Sequence, residues 1–76
     1  MDTVRFGRQL RALRRHRGLR QDDVARCAGL SRSVVARAEQ GGADRIQPRS
    51  LVRIANALGA RFVGRLDWNG EALDRL

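Results

Sequence analysis

The sequence predicts an all-α domain, a bundle of about four helices with a short C-terminal β-strand and helical turn attached. Three observations carry that reading. Apolar residues recur at helical spacing through most of residues 1–60. Glycines stand where the periodic stretches stop, at Gly18, Gly29, Gly41 and Gly59. Past Ala60 the pattern changes to alternation, the period of a strand. The division that follows is a helical domain over 1–60 and a tail over 61–76.

The chain has 76 residues, which allows one small domain. A chain of this size buries only about 60% of its unfolded surface, so a partner subunit would add stability. The formal net charge is +8, and all 16 basic residues are arginine. Arginine to the exclusion of lysine reads as the mark of a GC-rich genome. The excess of positive charge is the functional signal, because a small domain this basic is expected to bind phosphate. The arginines are spread over several helices rather than along one amphipathic face, which argues against a membrane-surface role. With no Tyr, two Phe and one Trp, there is no aromatic platform for single-stranded nucleic acid. No apolar run is long enough to span a membrane, and the start MDTVRFGRQL has no apolar signal core. Cys27 has no second cysteine to pair with, so a cytoplasmic protein is expected.

The first helix should run from about Thr3 to Arg17, capped by Asp2 or Thr3. Phe6, Leu10 and Leu13 make its core stripe. Arg5, Arg8, Arg11 and Arg15 lie off that stripe as a solvated face, from which one or two could reach phosphate. Gly18 ends the helix. The second helix spans Gln21 to about Ala28. Arg20 precedes it and has no acceptor to cap it, at an expected cost of about 1 kcal/mol. Asp22 and Asp23 offset part of that cost through the helix dipole. Gly29 makes the bend, Leu30 plugs the corner, and Ser31 caps a third helix, Arg32 to about Gln40. Val24, Ala25, Ala28, Leu30, Val35 and Ala38 fall on the inward side of this helix pair. Arg32, Ser33, Ala36 and Arg37 stay outside. A short helix with one dry face and one guanidinium-bearing face suits a DNA major groove.

In the loop from Gly41 to Gln47, Gly41 and Gly42 permit left-handed geometry, and Ile46 should turn inward to anchor it. Arg45, Gln47 and Arg49 flank the point where it would approach the sugar–phosphate chain, where contacts position rather than specify. The fourth helix opens on Pro48, suited to the first helical position, and runs to Leu58. Leu51, Ile54, Ala55 and Leu58 face the core and Arg53 lies outside. In the tail, Phe62, Leu66 and Trp68 share one side of a strand over 61–68, with Val63 in the same segment. Asn69-Gly70 makes a turn that could close a hairpin, but EALDRL is a poor return strand, and Glu71 to Leu76 reads as a helical turn or two. A lone strand leaves its backbone groups unpaired, and pairing with a twofold mate would satisfy them.

These residues resemble the Cro/C1-type (Xre) family of helix-turn-helix DNA-binding proteins. The resemblance covers roughly Phe6 to Ala60 and rests on Gly7, Leu10, Gly18-Leu19, Gln21, Val24-Ala25, Gly29, Ser31, Val35, Glu39, Gly41, Leu51, Ile54-Ala55 and Leu58-Gly59. It implies a lambda-repressor-like bundle. It further implies that Arg32, Ser33 and Arg37 are the base-reading positions. Of these, arginine is best matched to guanine, since its fork can donate to O6 and N7 together. Gln21 is implied to sit next to the DNA backbone, with Arg20 recruited to phosphate in place of the usual cap. Glu39 is implied to pair with Arg14 as a structural ion pair. Some antitoxin-type relatives carry a terminal strand, which implies dimerisation through Phe62, Val63, Leu66 and Trp68.

The expected function is a sequence-specific double-stranded DNA-binding regulator, a repressor that binds a palindromic operator as a homodimer. The alternative is the antitoxin of a toxin–antitoxin pair, or the DNA-binding head of a longer protein, whose tail binds a protein partner. The end of the chain inside a helical-looking segment lends that alternative weight. An enzyme is not expected, because no nucleophile with a base, no paired carboxylates and no phosphate loop are present. No cofactor is expected. No metal is expected either, since His16 is the only histidine.

Overall fold

A computed structural model describes residues 2–61, together with the backbone at 67–68 and 71–72. Four helices follow one another as α1 (Thr3–His16), α2 (Gln21–Ala28), α3 (Arg32–Glu39) and α4 (Pro48–Ala57). A single 3₁₀ turn, Ala43–Arg45, lies between α3 and α4. The helices start as the sequence suggests and stop one residue earlier than expected in α1, α3 and α4. No helix among the described residues is long and apolar enough to cross a membrane.

Local chemistry sets both ends of each helix. Asp2 caps α1, its carboxylate accepting from the Arg5 N–H at 3.0 Å. Ser31 caps α3, its hydroxyl accepting from the Val34 N–H at 3.3 Å. Pro48 occupies the first turn of α4, where a missing N–H costs nothing. All four helices end in one way. The residue after a left-handed glycine donates its N–H to the carbonyl five residues back: Leu19 to Arg14, Leu30 to Ala25, Gly42 to Arg37 and Ala60 to Ala55, at 2.8–3.1 Å. The glycines that permit it are Gly18, Gly29, Gly41 and Gly59, with φ between 69° and 95°.

The core lies where α3 packs on α1 and α2, with α4 closing against α2. Leu10, Val24, Ala25, Val35, Ala38, Ala43, Leu51, Ile54 and Leu58 form one buried cluster. Ile54, Leu58, Val24 and Val35 are its largest fully buried side chains, each worth about 1.5–3 kcal/mol of apolar burial. Small residues let the backbones approach. A Cβ on Gly7 of α1 would lie 2.6 Å from the carbonyl oxygens of Ala38 and Glu39 at the end of α3. Glycine there fixes how closely the two helices cross.

Leu30 and Ile46 turn inward as expected, each half-buried and packed against the core. The loop has a further and deeper anchor in Ala43, 2% exposed. The 3₁₀ turn rotates Ala43 inward, and that turn carries no apolar repeat by which to find it.

In the tail, β1 (Asp67–Trp68) pairs antiparallel with β2 (Glu71–Ala72), Asp67 opposite Ala72 and Trp68 opposite Glu71. The helical turn expected from Glu71 is therefore not formed at Glu71–Ala72, where the chain is extended. Asn-Gly between two short runs is a strong hairpin signal, and it outweighs the helical look of EALDRL. Arg61 is not in a strand. The expected dimerisation residues Phe62, Val63 and Leu66, and the side chain of Trp68, lie outside the described residues.

Candidate nucleic-acid interface

The second and third helices present a surface with a buried side and a charged side. On α3, Val35 and Ala38 are 1% and 0% exposed, while Arg32, Ser33 and Arg37 are exposed. Ala36, expected outside, is half-buried. The short helix therefore turns two guanidinium groups and a hydroxyl to solvent while its other side is fixed to α1 and α2. Rigid attachment matters because a base contact requires the arginine fork to be aimed.

At the start of α2, Arg20 makes no side-chain cap, as a guanidinium has nothing to accept with. The compensation comes from Asp23, whose carboxylate accepts from the Arg20 backbone N–H at 2.8 Å. That backbone hydrogen bond, and a longer one from the Arg20 side chain, hold the Asp23 carboxyl below the usual carboxylate range. Arg26 adds an ion pair to Asp23 at 2.8 Å. The Arg20 side chain itself is exposed. It stands beside Gln21 and Asp22 at an open cleft of about 320 Å³, with Arg14 and Arg32 as the other walls.

Beneath this surface lies a polar network. Arg14 and Glu39 are 12% and 4% exposed, and they meet as a two-pronged pair. The Arg14 Nε donates to Glu39 Oε2 at 2.7 Å, and Nη2 donates to Oε1 at 3.0 Å. The remaining Arg14 nitrogen donates to the Leu19 carbonyl at 2.9 Å, tying in the loop after α1. Hydrogen bonding to Glu39 raises the Arg14 pKa further, against the opposing effect of burial. Every polar atom of a buried pair must be satisfied for it to be tolerated, and among the described residues no buried side-chain N or O lacks a partner.

Gln21 connects that pair to the surface, a role that its expected place next to the DNA backbone did not suggest. Its Nε2 donates to Glu39 Oε1 at 3.2 Å, and its Oε1 accepts from Arg32 Nε at 3.5 Å. Asp22, expected only to favour the start of α2, also has its carboxylate 3.8 Å from Arg32 Nε. Both partners are exposed, so this is a weak, screened contact. No periodicity marks such links, because they join residues 10 or more positions apart across the corner.

Arg45, Gln47 and Arg49 are exposed from the end of the 3₁₀ turn into the first turn of α4. Cys27 is an exposed free thiol on α2. Among the described residues no group of three His, Cys, Asp or Glu side chains could hold a metal ion.

A family model described as a helix-turn-helix domain matches residues 5–66. Among solved structures, the chain is similar to the restriction-modification controller protein C.AhdI from Aeromonas hydrophila. The identity is 37% and the TM-score 0.72, with 79% of this chain and 89% of that chain covered. The curated proteins yield no match.

Proposed function

The chain belongs to the helix-turn-helix family, as a Cro/C1-type DNA-binding protein, and from that premise we propose that it is a sequence-specific transcriptional repressor acting on a palindromic operator as a homodimer. The observation that carries the reading is the exposed face of α3. Arg32, Ser33 and Arg37 project from a helix whose opposite side is wholly buried. Arg32 or Arg37 reads a guanine through its fork, and Ser33 donates to a base or phosphate. Arg20, Gln21, Arg45, Gln47 and Arg49 hold the sugar–phosphate chain on either side and set the register. The similarity to a restriction-modification controller protein supports a role in controlling transcription rather than in catalysis.

Two copies would place their α3 helices in successive major grooves, half-sites about 34 Å apart. The tail over 61–76 is the proposed dimer element, through Phe62, Val63, Leu66 and Trp68. The intrachain ladder gives Asp67–Trp68 a partner of its own, so support for dimerisation now comes from the small core and the twofold logic of paired half-sites. Sedimentation equilibrium on the intact protein and on a form ending at Ala60 tests it. A dimer that becomes a monomer on truncation supports the assignment. Two monomers would overturn the dimer and turn attention to a toxin or other protein partner for the tail.

A further inference from the structure

We infer that Gly42 is a positioning residue for the recognition arginine Arg37, and that Arg37 and Arg45 engage DNA as a coupled pair seated against it. The inference rests on the reading of Arg37 as a base contact.

Gly42 lies directly beyond the end of α3. Its N–H donates to the Arg37 carbonyl at 2.9 Å, and its own carbonyl accepts from the Arg45 N–H at 3.0 Å. It is buried, although Arg37 and Arg45 on either side are exposed. Its backbone, at φ −95° and ψ 22°, is one that any residue can adopt, so conformation does not demand glycine. Space does. A Cβ would lie 2.6 Å from Arg37 Cγ, 3.1 Å from the Arg37 carbonyl oxygen and 3.3 Å from Arg45 Nη2.

The position of the closest atom decides the consequence. Cγ is the first atom governed by χ1, so displacing it changes χ1 and swings the whole guanidinium. A flexible tip could move aside at little cost, but the root of the side chain cannot. The absent side chain therefore leaves the volume that the Arg37 stem fills, and the Arg45 guanidinium borders the same volume. Among the described residues, neither guanidinium takes part in an ion pair. The Arg37 stem and the Arg45 guanidinium border one volume, and two uncompensated charges on neighbouring side chains favour an anionic partner that both can reach. A base edge for Arg37 and the adjoining phosphate for Arg45 meet that requirement.

The test uses the full chain, a randomised DNA duplex pool and the duplex selected from that pool by the native protein. Gly42→Ala is expected to weaken binding of the selected duplex about tenfold, within the range one two-pronged base contact supplies. Affinity for the randomised pool should stay close to native, and the thermal melt should fall only by the small cost of a shifted Arg37 rotamer. In an Arg37→Ala background, Gly42→Ala should cost nothing more. Equal losses in both backgrounds, or no loss in either, would overturn the positioning role. If Arg37→Ala leaves discrimination between the two DNAs intact, the base-contact reading fails and the inference goes with it. If Arg37→Ala abolishes discrimination while Gly42→Ala does not act through it, only the inference fails. Should Gly42→Ala melt early, Arg37→Ala, Arg45→Ala and their double variant give a second measure. Losses well short of additive support the pair, and additive losses overturn it.

Discussion

Arg14 and Glu39 show how a buried charge is tolerated in a core this small. Each oxygen of Glu39 receives a guanidinium nitrogen, and Gln21 adds a further donor. Removing one partner leaves the other charge stranded. Arg14→Ala should cost about 3–5 kcal/mol in urea unfolding. Replacing both residues with apolar ones of similar volume should cost far less, and equal losses from the single and double changes would contradict this account. The pairing of Arg14 with Glu39 came from family resemblance, since no local pattern joins residues 25 positions apart. The part played by Gln21 was not legible at all, because its partner lies across the turn. At Asp23 the sign of the pH effect follows from its partners. Its folded pKa is lowered, so its stabilising contribution is present above the ordinary carboxylate value, near 3.9, and fades as pH falls through the depressed one. Stability measured against pH should therefore decline on the acid side, and Asp23→Ala should be less stable at neutral pH with a shallower acid decline.

At the scale of elements, the sequence was most readable where structure is made locally. Asp2, Ser31 and Pro48 mark helix starts and the glycines mark the stops, so the helix limits followed within one residue. It was least readable at the 3₁₀ turn, where Ala43 is buried more deeply than Ile46, and at Glu71–Ala72, where hairpin pairing displaced a helical pattern. Both depend on backbone geometry over three or four residues, too short for any periodic signal. Arg20 is an element-scale compromise. A residue that cannot cap stands where Ser, Thr, Asp or Asn would stabilise α2. Arg20→Ser should raise stability by about 1 kcal/mol by thermal melt. If Arg20 meets a phosphate, the same change should weaken DNA binding evenly across sequences and lower the salt slope by about 1. A destabilised variant, or a stabilised one with unchanged salt dependence, would separate the cap from the phosphate contact.

For the whole molecule, the fold fixes α3, the proposed reading helix, on a chain of net charge +8. On the proposed reading the charge supplies affinity for any duplex and α3 supplies the preference for one. Six phosphate contacts per dimer would give a slope of roughly −5 for log K against log salt. The bundle and its helix-turn-helix were legible because apolar spacing and turn glycines encode them directly. The shape of the assembly was not, because the residues proposed to form it lie in the tail. The most direct measurement compares binding of a selected duplex and a randomised duplex over a salt series, for the native protein and for Arg32→Ala and Arg37→Ala. The account predicts a native preference of about 10³ or more for the selected duplex, a steep salt dependence for both DNAs, and loss of preference in at least one variant. Equal native affinities for the two duplexes, or a preference that survives both substitutions, would contradict it.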